Sequence, residues 1–94
     1  MAIRSYRDKV TAAVSEGECP KGFPSDILKV ARRKLQMIEA AKELADLKSP
    51  PGNKLHLLEK DRAGQFAICI NDRMRVCFEW KDGGAENVEI TGYH

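Results

Sequence analysis

The apolar residues of this chain change their spacing at one place, the Pro50-Pro51-Gly52 turn, and that change sets the class of fold available to it. Upstream they recur every three or four positions; downstream they alternate. The first spacing puts side chains on one stripe of a helix and the second on one face of a strand, so helices precede a run of strands. Such an order builds an α+β domain, with N-terminal helices packed on one face of a mainly antiparallel four- to five-stranded sheet. At 94 residues, 43% of them hydrophobic, the chain supplies one modest core and reads as a single domain, residues 1–94.

Local signals place the elements. Ala2 to Tyr6 is a short edge strand, and a small helix over Asp8 to Ser15 stops at Gly17. Ser25 follows Pro24 as a candidate N-cap, with Asp26 placed to meet the helix dipole. In the helix that follows, Leu28, Ala31, Leu35 and Ile38 share one face and Lys29, Arg32, Arg33 and Gln36 another. A lysine and arginine face is ordinarily a solvated surface; contact with a polyanion is its functional alternative. Residues 40–47 extend this helix or form a second short one before Pro50 and Pro51.

Beyond the turn, Leu55 and Leu57 oppose Lys54 and His56. Phe66 to Ile70 is a second strand, and Met74, Val76, Phe78 and Trp80 alternate with Arg73, Arg75, Cys77 and Glu79 in a third. Lys81 to Gly84 supplies a turn, and Asn87 to Thr91 a last strand with Val88 and Ile90 inward. A two-residue Asn71-Asp72 turn would put Ile68 and Ile70 on the face that carries Arg75. A three-residue Asn71–Arg73 loop pairs Ile68 with Val76 and keeps the large apolar residues together, so it is the expected connection, with a residue of the loop at positive φ.

The face left outside the helices carries His56 and Arg75, with Tyr93 and His94 as candidates to join them. Cutting RNA without a metal requires the ribose 2′-hydroxyl to attack the adjacent phosphorus. One group must take the 2′ proton, another must protonate the leaving 5′ oxygen, and a cation must stabilise the phosphoryl charge. Arg75 suits the last task, since a guanidinium stays charged and bonds two phosphate oxygens at once. His56 and His94 suit the proton transfers. Tyr93 suits stacking on a base or bonding a phosphate. Taken singly, an arginine on a strand is usually solvated and a histidine at a chain end usually frayed; their convergence on one face adds some weight to the reading as a site.

Other chemistries fit less well. The sequence has no phosphate-cradling glycine loop, no His/Cys cluster with zinc spacing and no acidic set suited to magnesium, so neither metal nor cofactor is expected. A net charge of +2 is too small for wholesale wrapping by nucleic acid, which confines any such contact to a local patch. Cys19, Cys69 and Cys77 are odd in number and lack ligand spacing, as reduced thiols of a cytoplasmic protein would. No apolar run is long enough to span a membrane and no signal-peptide core follows Met1.

Several motifs occur together in a fixed order. They are Ser49-Pro50-Pro51-Gly52-Asn53-Lys54-Leu55, Asp61-Arg62-Ala63-Gly64-Gln65, Asn71-Asp72-Arg73-Met74-Arg75-Val76-Cys77-Phe78 and the closing Tyr93-His94, with Arg4-Ser5 and Arg33-Lys34-Leu35 upstream. In this the chain resembles the HigB toxins of the RelE superfamily. The resemblance implies a RelE-like fold and a ribosome-dependent endonuclease that cleaves messenger RNA. It also implies a HigA-type helix-turn-helix antitoxin as partner, with DNA contacted only through that antitoxin. In relatives the residues matching Arg75 and His94 are implicated in cleavage, with those matching His56 and Tyr93 in support. Lys60, Arg62, Arg73, Arg32 and Arg33 are the candidate RNA contacts. Two positions depart from the pattern: Glu59 stands where some relatives have a functional lysine, with Lys60 next to it, and Met74 where a tryptophan is common. The competing expectations are a ParE-like toxin that inhibits DNA gyrase without cutting RNA, and a non-toxic binding module acting through Arg32, Arg33 and Arg62.

Overall fold

A computed structural model describes residues 2–92. Helix α1 (Lys9–Ser15) is capped by Asp8, whose carboxylate accepts the Thr11 N–H at 2.8 Å, and the chain leaves it through Gly17 at φ +95°, a left-handed conformation that costs glycine little. Ser25 does not cap the next helix. It begins a 3-10 turn (Ser25–Ile27) that feeds directly into α2 (Leu28–Ala40), so it lies inside the helical run instead of ahead of it. Along α2 the expected stripe is inward: Ala31, Leu35 and Ile38 are buried and Leu28 partly so. The chain then breaks at Ala41 and makes a separate 3-10 turn over Leu44–Lys48.

The proline-rich turn is fixed to α2 by a polar pair that alternation does not reveal. Asn53 is fully buried, and its amide donates to the carbonyls of Leu47 (3.1 Å) and Ser49 (3.3 Å) while its Oδ1 accepts from Lys34 Nζ. Burial holds the Lys34 amine below its ordinary value, against the opposing influence of Cys69. A buried ammonium needs such a partner, because desolvation without a hydrogen bond costs several kcal/mol or about that order.

Strands β1 (His56–Leu57), β2 (Phe66–Cys69), β3 (Met74–Lys81) and β4 (Gly84–Gly92) form an antiparallel sheet in sequence order. The segment ahead of α1 runs along the outer edge of β4 as a broken fifth strand, with parallel bridges from Ile3 to Ala85 and Tyr6 to Val88. Two hydroxyls cover the remaining edge donors: Ser5 accepts the Asn87 N–H at 2.9 Å and the buried Thr11 accepts the Ile90 N–H at 3.0 Å. An exposed pairing edge is closed in this way.

Between β2 and β3 the register is the expected one, with Ile68 opposite Val76 and the Ile70 N–H bonded to the Met74 carbonyl. The loop achieves it without positive φ at any of residues 71–73. Instead Asn71 Oδ1 accepts the N–H groups of both Arg73 and Met74 at 2.8 Å, a side chain standing in for a backbone turn. Asp82 and Gly83, at φ +49° and +77°, make the two-residue β3–β4 hairpin, whose twist matches that of the strands. Further along, Cys77 pairs with Glu89 and Glu79 with Glu86, leaving one extra residue in β4. Asn87 absorbs it as a bulge at φ +53° and donates its side-chain amide to Glu79, which lowers the pKa of that carboxyl.

The first strand is shorter than its alternation predicts. Lys54 is left-handed at φ +50° and ends a 3-10 turn over Pro51–Asn53, so pairing starts only at His56. Leu55 packs against the core, but Leu57 on the sheet's free edge has no strand beyond it and is 57% exposed. The core lies between the helices and one face of the sheet, around Val14, Leu35, Ile38, Leu47, Val76 and Val88. At its centre Phe78 stacks on Phe66 at 6.3 Å and meets the edge of Trp80 at 6.5 Å.

Candidate functional site

Residues directly opposite one another in a sheet share a face, so the observed pairing sorts the polar side chains. His56, Ala67, Cys77 and Glu89 form one row across the face away from the helices, and Cys69, Arg75 and Thr91 the next. That face is not open along its whole length, contrary to the alternation-based expectation. The connection from β1 to β2 folds over it as a compact cap: the Leu58 N–H bonds the Gln65 carbonyl at 2.8 Å, and a 3-10 turn over Lys60–Arg62 lies between. Leu58, Ala67 and Cys77 form a second, small apolar cluster beneath it. The reason is area: Ala67 and Cys77 leave a shallow apolar floor in the middle of the face, and Leu58 buries itself by covering it.

The cap and the sheet enclose a cleft of about 290 Å³ lined by Leu58, Glu59, Lys60, Asp61, Arg62 and Arg75. Three sequence candidates therefore meet here, Arg75 from the sheet with Lys60 and Arg62 from the cap. Lys60 reaches the cleft from a left-handed backbone, φ +60°. Glu59 also lines it, so the residue that departs from the family pattern faces the same space as its lysine neighbour. Three cations against the two carboxylates of Glu59 and Asp61 leave the lining positive, as an anion site requires. Burial pushes the Cys77 thiol up, while Arg75 and Arg62 beside it pull the other way. A buried thiol kept protonated is floor, not nucleophile.

Arg62 is held by two side chains from two elements. Its Nη1 donates to Glu89 Oε1 at 3.0 Å and to Gln65 Oε1 at 3.1 Å, and Arg7 approaches the same Glu89 oxygen at 3.7 Å. Sequence reasoning missed Glu89 and Gln65 as partners, since Glu89 faces the cap only through the β3–β4 register.

The remaining candidates lie elsewhere. His56 is on the same face as Arg75 but two strands away, about 10 Å between backbones, and exposed outside the cleft. Its Nδ1 lies 2.8 Å from the Lys54 carbonyl; a carbonyl only accepts, so Nδ1 carries the proton and the neutral ring keeps its lone pair at Nε2. Arg73 is exposed in the β2–β3 loop. Arg32 and Arg33 belong to α2, on the other side of the sheet, where they line a separate groove with Ser25, Leu28, Lys29 and Gln36. Tyr93 and His94 lie outside the described residues. Among the described residues no three His, Cys, Asp or Glu side chains group as metal ligands, and no helix is long and apolar enough to cross a membrane.

Comparison with known proteins extends over the same elements. Residues 4–94 match the HigB-like toxin family, described as the RelE-like toxin of the type II toxin-antitoxin system HigB. The chain is 41% identical to Toxin HigB-1 of Vibrio cholerae over 68 residues, 72% of each chain. It is 28% identical to Endoribonuclease HigB of Proteus vulgaris over 92 residues, 98% of this chain and 99% of that one. An uncharacterised protein of Haemophilus influenzae is 35% identical over 74 residues, 79% of this chain and 73% of that one. With helices on one face of an antiparallel sheet and a cationic cleft on the other, matched over nearly its whole length, the chain belongs to the RelE-like HigB toxins of type II toxin-antitoxin systems.

Proposed function

We propose that this toxin is an endoribonuclease that cuts messenger RNA on the ribosome, without a metal, in the cleft that holds Arg75. The observation that carries the reading is the meeting of Arg75, Arg62 and Lys60 in one space on the sheet face opposite the helices. A relative named as an endoribonuclease and aligned over nearly the whole chain supports the activity.

In this reaction the 2′ oxygen forms a bond to phosphorus as the bond from phosphorus to the 5′ oxygen breaks. Arg75 stabilises the charge that builds on the phosphoryl oxygens, and Arg62 and Lys60 hold the flanking backbone. One histidine takes the 2′ proton and another group returns a proton to the 5′ oxygen. His56, with its lone pair at Nε2, is a base at the edge of the site, and His94 is the acid or base nearest in role to Arg75. Tyr93 stacks on a base or bonds a phosphate. Arg73, Arg32 and Arg33 contact RNA away from the scissile bond. The products are a 2′,3′-cyclic phosphate and a 5′-hydroxyl.

Such a toxin acts in the cytoplasm, where ribosomes and messenger are. A helix-turn-helix antitoxin of HigA type neutralises it and supplies the contact with operator DNA. No observation favours gyrase inhibition or non-toxic binding over this reading. The test is to map messenger 5′ ends after brief expression in growing cells. Cuts within coding regions that leave 5′-hydroxyl ends, lost with Arg75→Ala or His94→Ala, are expected; growth arrest without cuts, or cuts unchanged in both variants, overturns the reading.

A further inference from the structure

The anchoring of Arg62 has a direction that the cleft alone does not explain. Both of its hydrogen bonds leave from Nη1, one to Glu89 Oε1 on β4 and one to Gln65 Oε1 at the end of the cap. A guanidinium is planar and carries five N–H donors in a fixed fork. Holding Nη1 by two acceptors from two elements therefore fixes the plane of the whole group. The edge formed by Nε–H and Nη2–H, which bonds two phosphate oxygens in parallel, takes no partner among the described residues.

Which way that edge points follows from the two hollows that Arg62 divides. On one side Arg62 lines a shallow groove with Arg7, Asp61 and Gln65; on the other it lines the Arg75 cleft, which contains neither Gln65 nor Glu89. Of the two Nη1 acceptors, Gln65 lines the groove and neither lines the cleft. That leaves the opposite edge as the one available to the cleft.

Glu89 is suited to hold it. It sits on a strand, in register with Cys77, and its side chain is only 17% exposed against 24% for that of Arg62. Its charge is shared with Arg7, 56% exposed and 3.7 Å away, so the trio of Arg7, Glu89 and Arg62 keeps one net positive charge. A phosphate arriving in the cleft thus meets an arginine whose orientation is already set, so less side-chain entropy is lost on binding than by a freely rotating side chain.

We infer that Glu89, assisted by Gln65, is a positioning residue that presents the Nε–Nη2 edge of Arg62 to a backbone phosphate of the RNA lying beside the one at Arg75. The inference rests on the proposed ribonuclease reading and goes beyond it in naming the residue that orients the ligand and the edge that binds.

The experiment is a double-mutant cycle on Arg62 and Glu89, read as cleavage of messenger on programmed ribosomes, with binding of a short single-stranded RNA oligonucleotide measured beside it. Glu89→Ala raises KM by about tenfold, as loss of a preset charge-assisted contact does, and changes kcat by no more than about twofold. Glu89→Gln, which keeps an oxygen able to accept from Nη1, recovers most of that loss. Arg62→Ala has the same KM defect, and adding Glu89→Ala to it makes the defect no worse, because both act through one contact. A purely structural Glu89 gives defects that add, with a parallel fall in melting midpoint, and that overturns the inference. So does unchanged KM in Glu89→Ala, or tighter RNA binding in Glu89→Gln, which would make the carboxylate a competitor of phosphate. The parent and Arg75→Ala separate the two levels: if the parent does not cleave, the ribonuclease reading has failed; if Arg75→Ala cleaves as the parent does, the placement of the reaction at Arg75 has failed; if Arg75→Ala is inactive while Glu89→Ala is unaffected, only the positioning role has.

Discussion

Phe78 and Cys77 are neighbours on β3, both fully buried, and they face opposite sides of the sheet. Phe78 belongs to a core shared by the helices and three strands. Cys77 belongs to a cluster of three residues under a loop, flanked by Arg75 and Arg62. Burial thus serves different ends on the two faces. On the helix side it supplies most of the free energy of folding; on the cap side it provides a floor against which charged groups are held in place. Substitutions on the first face are expected to cost stability, and those on the second to cost activity.

The strongest test of that division is Phe78→Ala, expected to destabilise by about 3–5 kcal/mol in urea denaturation. A loss under about 1 kcal/mol would mean that the helix-covered core does not dominate folding. Next comes Arg75→Ala, expected to lower cleavage by about 10²–10³-fold, the scale for removing one preorganised charge stabiliser, with antitoxin binding and the melting midpoint retained. If this variant unfolds instead, the two faces are not separable.

A third substitution probes the margin between the faces. Asn53→Ala strips Lys34 of its acceptor and the Leu47 carbonyl of its donor, and is expected to cost about 2–3 kcal/mol. The pH dependence carries the same information. Burial lowers the Lys34 pKa in the folded protein below 10.5, so between the folded and unfolded values the unfolded chain binds more protons. Below that window both states are protonated and the cost of burying the charge is felt in full. Stability from this group therefore rises as pH increases through the window, and Lys34→Met is expected to flatten that rise in denaturation measured against pH.

The smallest effect is at Cys77. Cys77→Ala removes one sulfur from the floor and is expected to cost about 1 kcal/mol or less. With its thiol pKa pushed up by burial, the native protein holds little thiolate there at neutral pH. Alkylation followed by mass spectrometry is expected to label the exposed Cys19 first and Cys77 only on unfolding; equal labelling would show that the cap opens freely.

What was legible in the sequence was whatever a repeating pattern carries. The spacing of Ala31, Leu35 and Ile38 made α2 visible, and the demand that Ile68, Val76 and Phe78 share one face fixed the β2–β3 register, because a slip of one residue would turn Ile68 to the side opposite Val76 and Phe78. Alternation within their own strands put His56 and Arg75 on a common face. Patterns fail where a single residue departs from them. Leu57 alternates correctly yet is exposed, since no strand lies beyond it, and Ser25 has the chemistry of a cap but lies inside a 3-10 turn.

The site was only half legible for the same reason. Arg75 was visible as a cation in an alternating strand, and the chemistry of RNA cleavage named the task. Its neighbours were not visible. Lys60 and Arg62 reach Arg75 because a non-repeating loop folds back over a shallow floor. Glu89 meets Arg62 because Asn87 bulges and shifts the pairing of β4. Lys34 finds Asn53 across the proline turn. Periodicity is a property of neighbours in sequence, and it decided the elements and their faces; the charged contacts join residues far apart in the chain, Arg62 to Glu89 and, further still, Arg7 to the same Glu89, and only the packing of the whole chain could bring them together.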